Sequence, residues 1–309
     1  MVYLAKKKRG NKLYYYLVEN IPIARGRRHQ LRKYIGTEKP SETKLQILIA
    51  QFEQEVQKEK LKLHGHHYLT EDEIKEIMEI NKEFWKRYHK ANETVREQFD
   101  QNFVMAFVYN TNSIEGSTLT PKEVELLLAE NIAPNKPLDD VLEAKAAQKT
   151  LQFIKEHSGN FDQEFLLKVH EIYFKDTKSK IAGTYKKHQN QIKGSRFETT
   201  PPHLVLTDMK LYFEEYARLK KELHPLELAA WIHWKLVRIH PFQDGNGRTA
   251  RIIMNFILNK NGYAMIDIKT KEKQQYFRAL EKCNYNNNAR ALAIRLVRRF
   301  KKQYQNVLR

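Results

Sequence analysis

The sequence predicts a mainly α-helical fold with a small, basic, β-containing extension at its N-terminus. Apolar residues recur at helical spacing through most of the chain after residue 40. Alternating, tyrosine-rich runs of the kind that form strands are confined to residues 1–36. Between residues 182 and 202 the helical spacing disappears, and Gly, Gln, Asn, Thr and Pro accumulate instead. The expected architecture is a helical body with one irregular segment, preceded by a small sheet.

The N-terminal extension combines strand-forming and cationic residues. Residues 2–5 and 13–18 are β-prone, a turn at Gly10 and Asn11 separates them, and residues 29–35 form a candidate third strand. Residues 1–36 hold ten Lys or Arg and one acid, Glu19, and so contribute +9 of the net charge of +18. Such a surface suits phosphate contacts and aromatic stacking, which makes nucleic acid one expected partner. The alternative interpretation is a solubilising face or a docking patch for an acidic protein.

The break after the extension predicts a domain boundary near residue 65. A helix is expected over residues 41–63, with Ser41 as its N-cap. Gly65 interrupts that helix, and Thr70 and Glu73 have the spacing of a capping box for the next one. We therefore predict a basic β-meander with its helix at residues 1–65 and a helical region at residues 66–309.

Several helices are predicted within the helical region. The apolar stripe of Phe103, Phe107 and Ile114 indicates a helix that ends at Gly116. Thr120 is a candidate N-cap for the following helix, with Pro121 at its first position. Further helical patterns cover residues 138–157, 161–175, 206–219 and 226–239.

A twelve-residue stretch at positions 240–251 carries the clearest chemical signal. It reads His-Pro-Phe-Gln-Asp-Gly-Asn-Gly-Arg-Thr-Ala-Arg and lies between apolar helical segments at residues 226–239 and 252–258. Gly245 and Gly247 allow successive backbone N–H groups to converge at the start of a helix, where the helix dipole adds positive potential. The stretch therefore predicts a phosphate cradle.

The side chains around this cradle predict phosphoryl or nucleotidyl transfer. Arg248 and Arg251 lie three residues apart on one helix, so both guanidinium groups can reach the same polyphosphate. Asp244 suits Mg²⁺ shared with phosphate oxygens, and the amide of Asn246 can donate to a phosphate. His240 is the one side chain of the loop that can take up a proton near neutral pH.

The loop resembles the signature of Fic-domain proteins, HPFx[D/E]GNGRxxR, and fits every specified position of it. The resemblance implies a Fic-type helical core at about residues 136–300 and transfer of AMP from ATP to a Ser, Thr or Tyr hydroxyl of a protein. It assigns His240 to deprotonation of the target hydroxyl and Asp244 to Mg²⁺. The phosphate contacts that it implies are Gly245, Asn246, Gly247 and Arg248 for the α- and β-phosphates and Arg251 for the γ-phosphate.

A second resemblance concerns the end of the helix before Gly116. Residues 111–116 read Thr-Asn-Ser-Ile-Glu-Gly and fit [S/T]xxxE[G/N], the inhibitory-helix motif of Fic proteins that carry their inhibitor ahead of the core. The resemblance implies that Glu115, with Thr111 one turn earlier, pairs with Arg251 and restrains the reaction. In some relatives such a glutamate serves the removal of AMP, and this role stays open.

Two further segments resemble Fic features. Ile192, Lys193 and Gly194 resemble the β-hairpin flap that covers the site and pairs with the target segment by strand addition. A small polar or apolar residue is common in the family where Lys193 stands. Tyr276, Leu280 and Asn284 recur at helical spacing and resemble the adenine-side residues, among which Asn284 would read the nucleobase edge.

The expected setting is the cytoplasm. Cys283 is the one cysteine, so no internal disulfide can form, and neither a signal peptide nor an apolar run of membrane-spanning length is visible. Expected partners are ATP, a protein target, the chain itself as a target, and a second copy in a homodimer. Two alternatives are transfer of another phosphorylated group, such as phosphate or phosphocholine, and a nucleotide sensor whose basic extension binds nucleic acid.

Overall fold

Two structural units make up the chain, Met1–Thr70 and Glu71–Arg309. The computed structural model describes residues 2–22, 28–64, 68–192 and 197–308. The division follows Thr70, five residues beyond the position that the sequence indicates. Within these described ranges, no helix is both long and apolar enough to cross a bilayer.

The first unit is a three-stranded antiparallel sheet followed by one helix. The strands are β1 (Tyr3–Arg9), β2 (Lys12–Pro22) and β3 (Arg28–Gly36), in the order β1-β2-β3. The turn between β1 and β2 contains Gly10 at φ 59°, a left-handed conformation that glycine adopts without steric cost. The helix α1 spans Glu42–His64.

The core of this unit lies between one face of the sheet and α1. Leu17 and Ile21 of β2 are fully buried and pack with Phe52 and Val56 of α1. Burial of each such side chain contributes roughly 1.5–3 kcal/mol. Because side chains alternate along a strand, the opposite face of the sheet holds the residues between these positions.

The second unit is helical. Its ten helices, counted over the described residues, are α2 (Glu71–Lys90), α3 (Glu93–Glu115), α4 (Pro121–Ala129), α5 (Leu138–Glu156), α6 (Gln163–Phe174), α7 (Val205–Leu219), α8 (Pro225–Ile239), α9 (Asn246–Lys260), α10 (Lys273–Asn286) and α11 (Arg290–Tyr304). The mainly α-helical fold with a small sheet is therefore confirmed.

The helices α8 and α9 form the centre of this unit. Both are buried on nearly every side, as their apolar composition predicts. The helix α9 begins at Asn246, six residues before the apolar segment at residue 252, so its first two turns are polar and cationic. This places Arg248 and Arg251 inside the helix rather than in the loop.

Local capping signals fix the ends of α3 and α4. Gly116 follows α3 at φ 111°, and its N–H and that of Ser117 bond the carbonyls of the last turn. Thr120 and Glu123 form a reciprocal capping box at the start of α4, and Pro121 is its first residue. The predicted N-cap at Thr120 is confirmed.

Candidate active site

The loop between α8 and α9 changes direction through two left-handed residues. His240 has φ 56° and ends α8, and Gly245 has φ 77° and precedes α9. A left-handed histidine is uncommon, and such backbone strain concentrates at functional sites. Glycine is required at position 245 for two reasons: the backbone is left-handed there, and a Cβ would overlap the Phe174 ring. The conformation of the loop is therefore set by residues at both of its ends.

Asn246 holds the loop in shape. Its Nδ2 donates to the Phe242 carbonyl at 2.8 Å, and its Oδ1 accepts from the Phe242 N–H at 2.9 Å. The side chain is buried, and both of its polar atoms are used within the loop. The two bonds form a bridge across the loop and use one of the two N–H donors of the amide, and the contact of this amide with a phosphate stays a prediction. The backbone N–H of Asn246 remains part of the helix N-terminus.

The imidazole of His240 is oriented and neutral. Its Nδ1 lies 3.1 Å from the Val237 carbonyl, which can only accept, so Nδ1 carries the proton. Burial lowers the pKa of His240 to about 4, so the ring is uncharged at neutral pH. The proton-free nitrogen is then Nε2, the atom that a general base requires.

Arg251 is bound from α3. Its Nη2 donates to Glu115 Oε1 at 2.7 Å and to the Thr111 carbonyl at 2.9 Å, and its Nε donates to Thr111 Oγ1 at 2.8 Å. Arg251 is fully buried. Burial acts to raise the pKa of Glu115, but the charge and hydrogen bond of Arg251, together with the charge of Arg248, outweigh it and hold that pKa below its ordinary value. Glu115 is therefore ionised at neutral pH.

The Glu115 carboxylate also lies against the start of α9. A Cβ built at Gly247 would be 2.5 Å from Glu115 Oε1. A side chain at this position would displace the carboxylate from the first N–H groups of the helix. Those N–H groups and the helix dipole attract negative charge. Glu115 therefore occupies part of the anion cradle that the sequence predicts.

Arg248 pairs with a carboxylate that sequence reasoning did not identify. Glu143 of α5 is buried and contacts both Arg248 and Lys178. The Arg248 guanidinium lies 4.6 Å from the centre of the Phe174 ring, and its Nε finds no hydrogen-bond partner among the described residues. This buried, partly satisfied cation suits an anionic ligand.

Asp244 has the environment of a single-carboxylate metal ligand. Its side chain is half exposed, and its Oδ1 accepts from the Gly245 N–H at 2.6 Å. Burial acts to raise its pKa, but Arg248 and Lys178 outweigh it and keep the carboxylate ionised. The described residues contain no cluster of three or more metal-ligating side chains. An ionised, half-exposed carboxylate of this kind fits Mg²⁺, which commonly takes one or two carboxylates and completes its shell with phosphate oxygens and water.

Residues 160–258 match the model of the Fic/DOC family. The match runs through α6, α7, α8, the 240–251 loop and most of α9, and so includes the whole anion cradle. The chain contains a Fic domain.

The chain is also 28% identical over 186 residues to a protein named protein adenylyltransferase Fic from Nematostella vectensis, covering 58% of this chain and 43% of that protein. A relative named protein adenylyltransferase fic-1, from Caenorhabditis briggsae, is 27% identical over 221 residues, with 68% and 42% covered. The chain thus spans less than half the length of these relatives.

Solved structures agree with the Fic fold. A Fic domain containing signaling protein from Bacteroides thetaiotaomicron superposes with a TM-score of 0.68 at 26% identity, over 74% of this chain and 95% of that protein. Residues 134–508 of Fic-1 from C. elegans superpose with a TM-score of 0.65 at 22% identity, over 86% and 77% of the two chains. The second likeness concerns the fold alone.

The predicted adenine-side residues lie on α10. Tyr276 is buried, with its hydroxyl 2.7 Å from Nε2 of His233, and Leu280 is buried one turn later. Asn284 is half-buried, and its Oδ1 accepts from the Trp234 indole N–H at 2.8 Å. Because this bond uses Oδ1, the Nδ2 amino group of Asn284 is the part of the side chain available to a ligand.

The flap of the Fic domain is connected to the loop at its base. Tyr185 pairs with Phe242 in an isolated bridge, and the Lys186 N–H donates to the Pro241 carbonyl at 2.8 Å. The two arms of the flap meet at a second bridge, between Gln191 and Glu198. Ile192 follows this bridge. Lys193 and Gly194 lie outside the described residues.

The buried His170 supports the loop, and no pattern in the sequence predicts this role. His170 stacks on Phe242 with ring centres 3.8 Å apart. Its Nδ1 accepts from the Gly183 N–H at 2.9 Å, so Nε2 carries the proton and donates to the Asp244 carbonyl at 3.1 Å. Burial lowers its pKa to about 4. His170 therefore fixes the backbone on which Asp244 and Gly245 are held.

Proposed function

We propose that the chain is a protein adenylyltransferase that moves AMP from ATP to a Ser, Thr or Tyr hydroxyl of a protein. The observation that carries the proposal is the placement of a neutral, oriented His240 beside an anion cradle with two buried arginines. The relatives named protein adenylyltransferase support the same reaction. ATP is the expected substrate, and self-modification is the simplest assay because no target needs to be known.

In the proposed reaction, His240 acts as the general base. Because Nδ1–H is held by the Val237 carbonyl, Nε2 is free to take the proton of the target hydroxyl. The hydroxyl oxygen then forms a bond to the α-phosphorus, and the bond between that phosphorus and the bridging oxygen to the β-phosphate breaks. AMP stays on the target and pyrophosphate leaves. Positioning and charge supply most of the rate in such transfers.

The phosphates of ATP are proposed to lie on the start of α9. The N–H groups near Gly245 and Gly247 and the guanidinium of Arg248 would hold the α- and β-phosphates, and Arg251 the γ-phosphate. Asp244 is the residue that would hold Mg²⁺, which offsets the charge of the leaving pyrophosphate when bound. Tyr276, Leu280 and Asn284 would hold the adenine.

Glu115 is proposed to restrain this reaction. Its carboxylate accepts a hydrogen bond from the Arg251 guanidinium and lies at the N-terminus of α9. A γ-phosphate and Glu115 would therefore compete for the same positive groups. ATP would then bind in a pose unfit for attack. The same carboxylate is suitably placed to act on water during removal of AMP, and we propose this as a second reaction of the one site.

The target is proposed to bind along the flap by strand addition at Ile192, Lys193 and Gly194. A cleft of about 1090 Å³ lies beside the flap arms and is lined by Gln189, Glu198, Asp208 and Arg238, among others. Its mixed charge suits a polar peptide segment. The free thiol of Cys283, whose pKa burial raises to about 11, suits a reducing compartment such as the cytoplasm.

Mass spectrometry of the chain after incubation with ATP and Mg²⁺ tests the proposal. We expect Glu115→Gly to gain AMP at least about tenfold faster than the natural chain, a change worth roughly 1.4 kcal/mol. Adding His240→Ala to that variant should lower the rate by about 10²–10⁴. Glu130→Gly, at the exposed end of α4, is the matched control and should behave like the natural chain.

Label position separates the reaction classes. ATP labelled at the α-phosphate should leave its label on the protein, whereas ATP labelled at the γ-phosphate should not. Retention of the γ-label instead would identify transfer of phosphate and overturn the proposed chemistry. If labelling of the Glu115→Gly variant does not increase, the proposed restraint by Glu115 is overturned. The transfer reaction itself is then tested separately, by comparing labelling of the natural chain with that of His240→Ala.

A further inference from the structure

The sheet of the first unit has two chemically different faces. The inner face carries Leu17 and Ile21 and packs on α1. The outer face is formed by the alternate residues, and the strand register sets Val18 between Tyr3 and Arg32, and Tyr16 between Ala5 and Tyr34. We define the outer face of the sheet by its charged and aromatic members, Tyr3, Lys7, Arg9, Tyr16, Arg32 and Tyr34.

On the inner side Lys33 lies beside an acid of α1, whereas the cations of the outer face have no such partner among the described residues. Lys33 lies 2.5 Å from Glu55 of α1, and His29 lies 3.8 Å from Glu59. For Lys7, Arg9 and Arg32, the described part of the chain offers no carboxylate within ion-pair distance. Glu19, the one acid of residues 1–36, is buried. The outer face therefore presents cations with no acid to offset them.

Aromatic rings stand among these cations. Tyr3 is 45% exposed and Tyr34 is 52% exposed. The two rings therefore leave a large apolar area of the outer face in contact with water. The Tyr34 ring contacts those of Tyr16 and Tyr14, with centres 5.5 and 6.1 Å apart, so the rings support one another. A groove of about 500 Å³ runs across this face, lined by Tyr3, Arg9, Tyr16 and Arg32, among others.

We propose that the outer face of the sheet binds single-stranded nucleic acid. Its cations would pair with phosphates, and the exposed rings would stack on unpaired bases, the combination that sheet-based single-strand binders use. A duplex keeps its bases stacked inside and would leave the tyrosines without a role. An acidic peptide would meet the cations but has few planar groups to cover the rings. The proposed site is separate from the proposed transfer reaction and does not depend on it.

Fluorescence anisotropy on the full chain tests the electrostatic part of the proposal. The probe is a labelled, unstructured oligonucleotide of roughly 20 nucleotides. Three phosphate contacts predict a slope of log affinity against log salt of about −2 for a single strand. Lys7→Gln/Arg9→Gln/Arg32→Gln should bring the slope near zero and weaken binding at least about tenfold. Lys86→Gln/Lys122→Gln/Lys302→Gln removes the same charge from exposed positions of the second unit and should change neither.

Tyrosine variants test the stacking part. Tyr34→Ala should weaken binding about tenfold, and Tyr34→Phe should retain it, because the ring and not the hydroxyl is used. Tyr285→Ala removes a ring that is 93% exposed in the second unit and serves as the matched control. Thermal unfolding of each variant establishes that the sheet is intact.

The same titrations define the results that would overturn the proposal. Equal affinity for a duplex of the same length would show that unpaired bases are not recognised. Equal affinity for polyglutamate would assign the face to acidic proteins instead. If the first-unit and second-unit charge variants lose binding to the same extent, the interaction reflects net charge alone and the site does not exist.

Discussion

At the scale of single residues, the site is organised around buried charges that satisfy one another. Arg248 and Glu143 are both nearly inaccessible to water, and Lys178 contacts the same carboxylate. Removing two charges from water is costly, and their attraction offsets that cost only while both partners remain. A ligand phosphate on Arg248 would therefore meet a guanidinium whose position Glu143 already fixes.

Glu143→Gln should destabilise the protein and weaken ATP binding. The substitution keeps the size of the side chain but leaves the buried Arg248 guanidinium with only the half-exposed Asp244 carboxylate, at 3.6 Å, among the described acids. Loss of the charge of a buried ion pair typically costs about 3 kcal/mol in free energy of unfolding. Urea unfolding measures the first effect, and ATP titration the second. Glu156→Gln, at an exposed position of the same helix, is the control. Equal unfolding midpoints for the two variants would contradict this assignment.

At the scale of elements, the sequence predicts features whose causes are local. The Thr120 cap, the end of α3 at Gly116 and the turn into α9 each depend on residues within a few positions of one another. The core helices follow from apolar periodicity in the same way. The pairing of Glu115 with Arg251 spans 136 positions and was predicted only through resemblance to a known motif.

Other parts of the site could not be predicted because their partners are distant in the chain. Glu143 meets Arg248 across 105 positions, and His170 meets Asp244 across 74. Each of these residues sits on an ordinary amphipathic helix and carries no spacing that marks it. The bridge made by Asn246 was missed for a different reason, since an amide can serve a ligand or its own loop equally well.

The base of the flap is a second element held by a residue without a sequence signal. Lys186 is buried, and its Nζ donates to Asn190 at 2.7 Å and to Thr199 at 3.0 Å, one residue on each arm of the flap. Asn190 in turn donates to the Phe242 carbonyl at 2.8 Å. Burial lowers the pKa of Lys186 to about 8, so it is still mostly charged at neutral pH. The ammonium group thus joins the two flap arms, and Asn190 in turn joins them to the 240–251 loop.

Lys186→Ala should impair use of the protein target more than use of ATP. Loss of the ammonium group removes two hydrogen bonds between the flap arms, so the segment proposed to receive the target is held less firmly relative to His240. We expect the rate of target modification to fall at least about tenfold, a loss of roughly 1.4 kcal/mol, with little change in ATP affinity. Lys187→Ala, the exposed neighbour, is the matched control. A parallel loss of ATP affinity would place Lys186 in nucleotide binding instead.

At the scale of the whole molecule, the helical unit is built around histidines that are buried without charge. His170 and His233 are both fully buried, and burial lowers their pKa values to about 4 and about 3. In the unfolded chain each would titrate near 6.5. Between these values the unfolded chain binds more protons than the folded protein does. Stability contributed by the neutral rings is therefore complete above pH 6.5 and is lost as the pH falls toward 4.

The free energy of unfolding should accordingly fall as the solution is acidified below pH 6.5. Burial also lowers the pKa values of His224 and His240 to about 4. Each of the four histidines adds a slope of up to about 1.4 kcal/mol per pH unit, so together they predict roughly 5 kcal/mol per pH unit near pH 5. Urea unfolding at a series of pH values measures this slope. His170→Gln should reduce it by about a quarter, because Gln can keep the hydrogen bonds to Gly183 and Asp244 without titrating. His203→Gln, at an exposed position, should leave it unchanged. A stability that is constant from pH 7 to pH 5 would contradict the neutral, buried state of these rings.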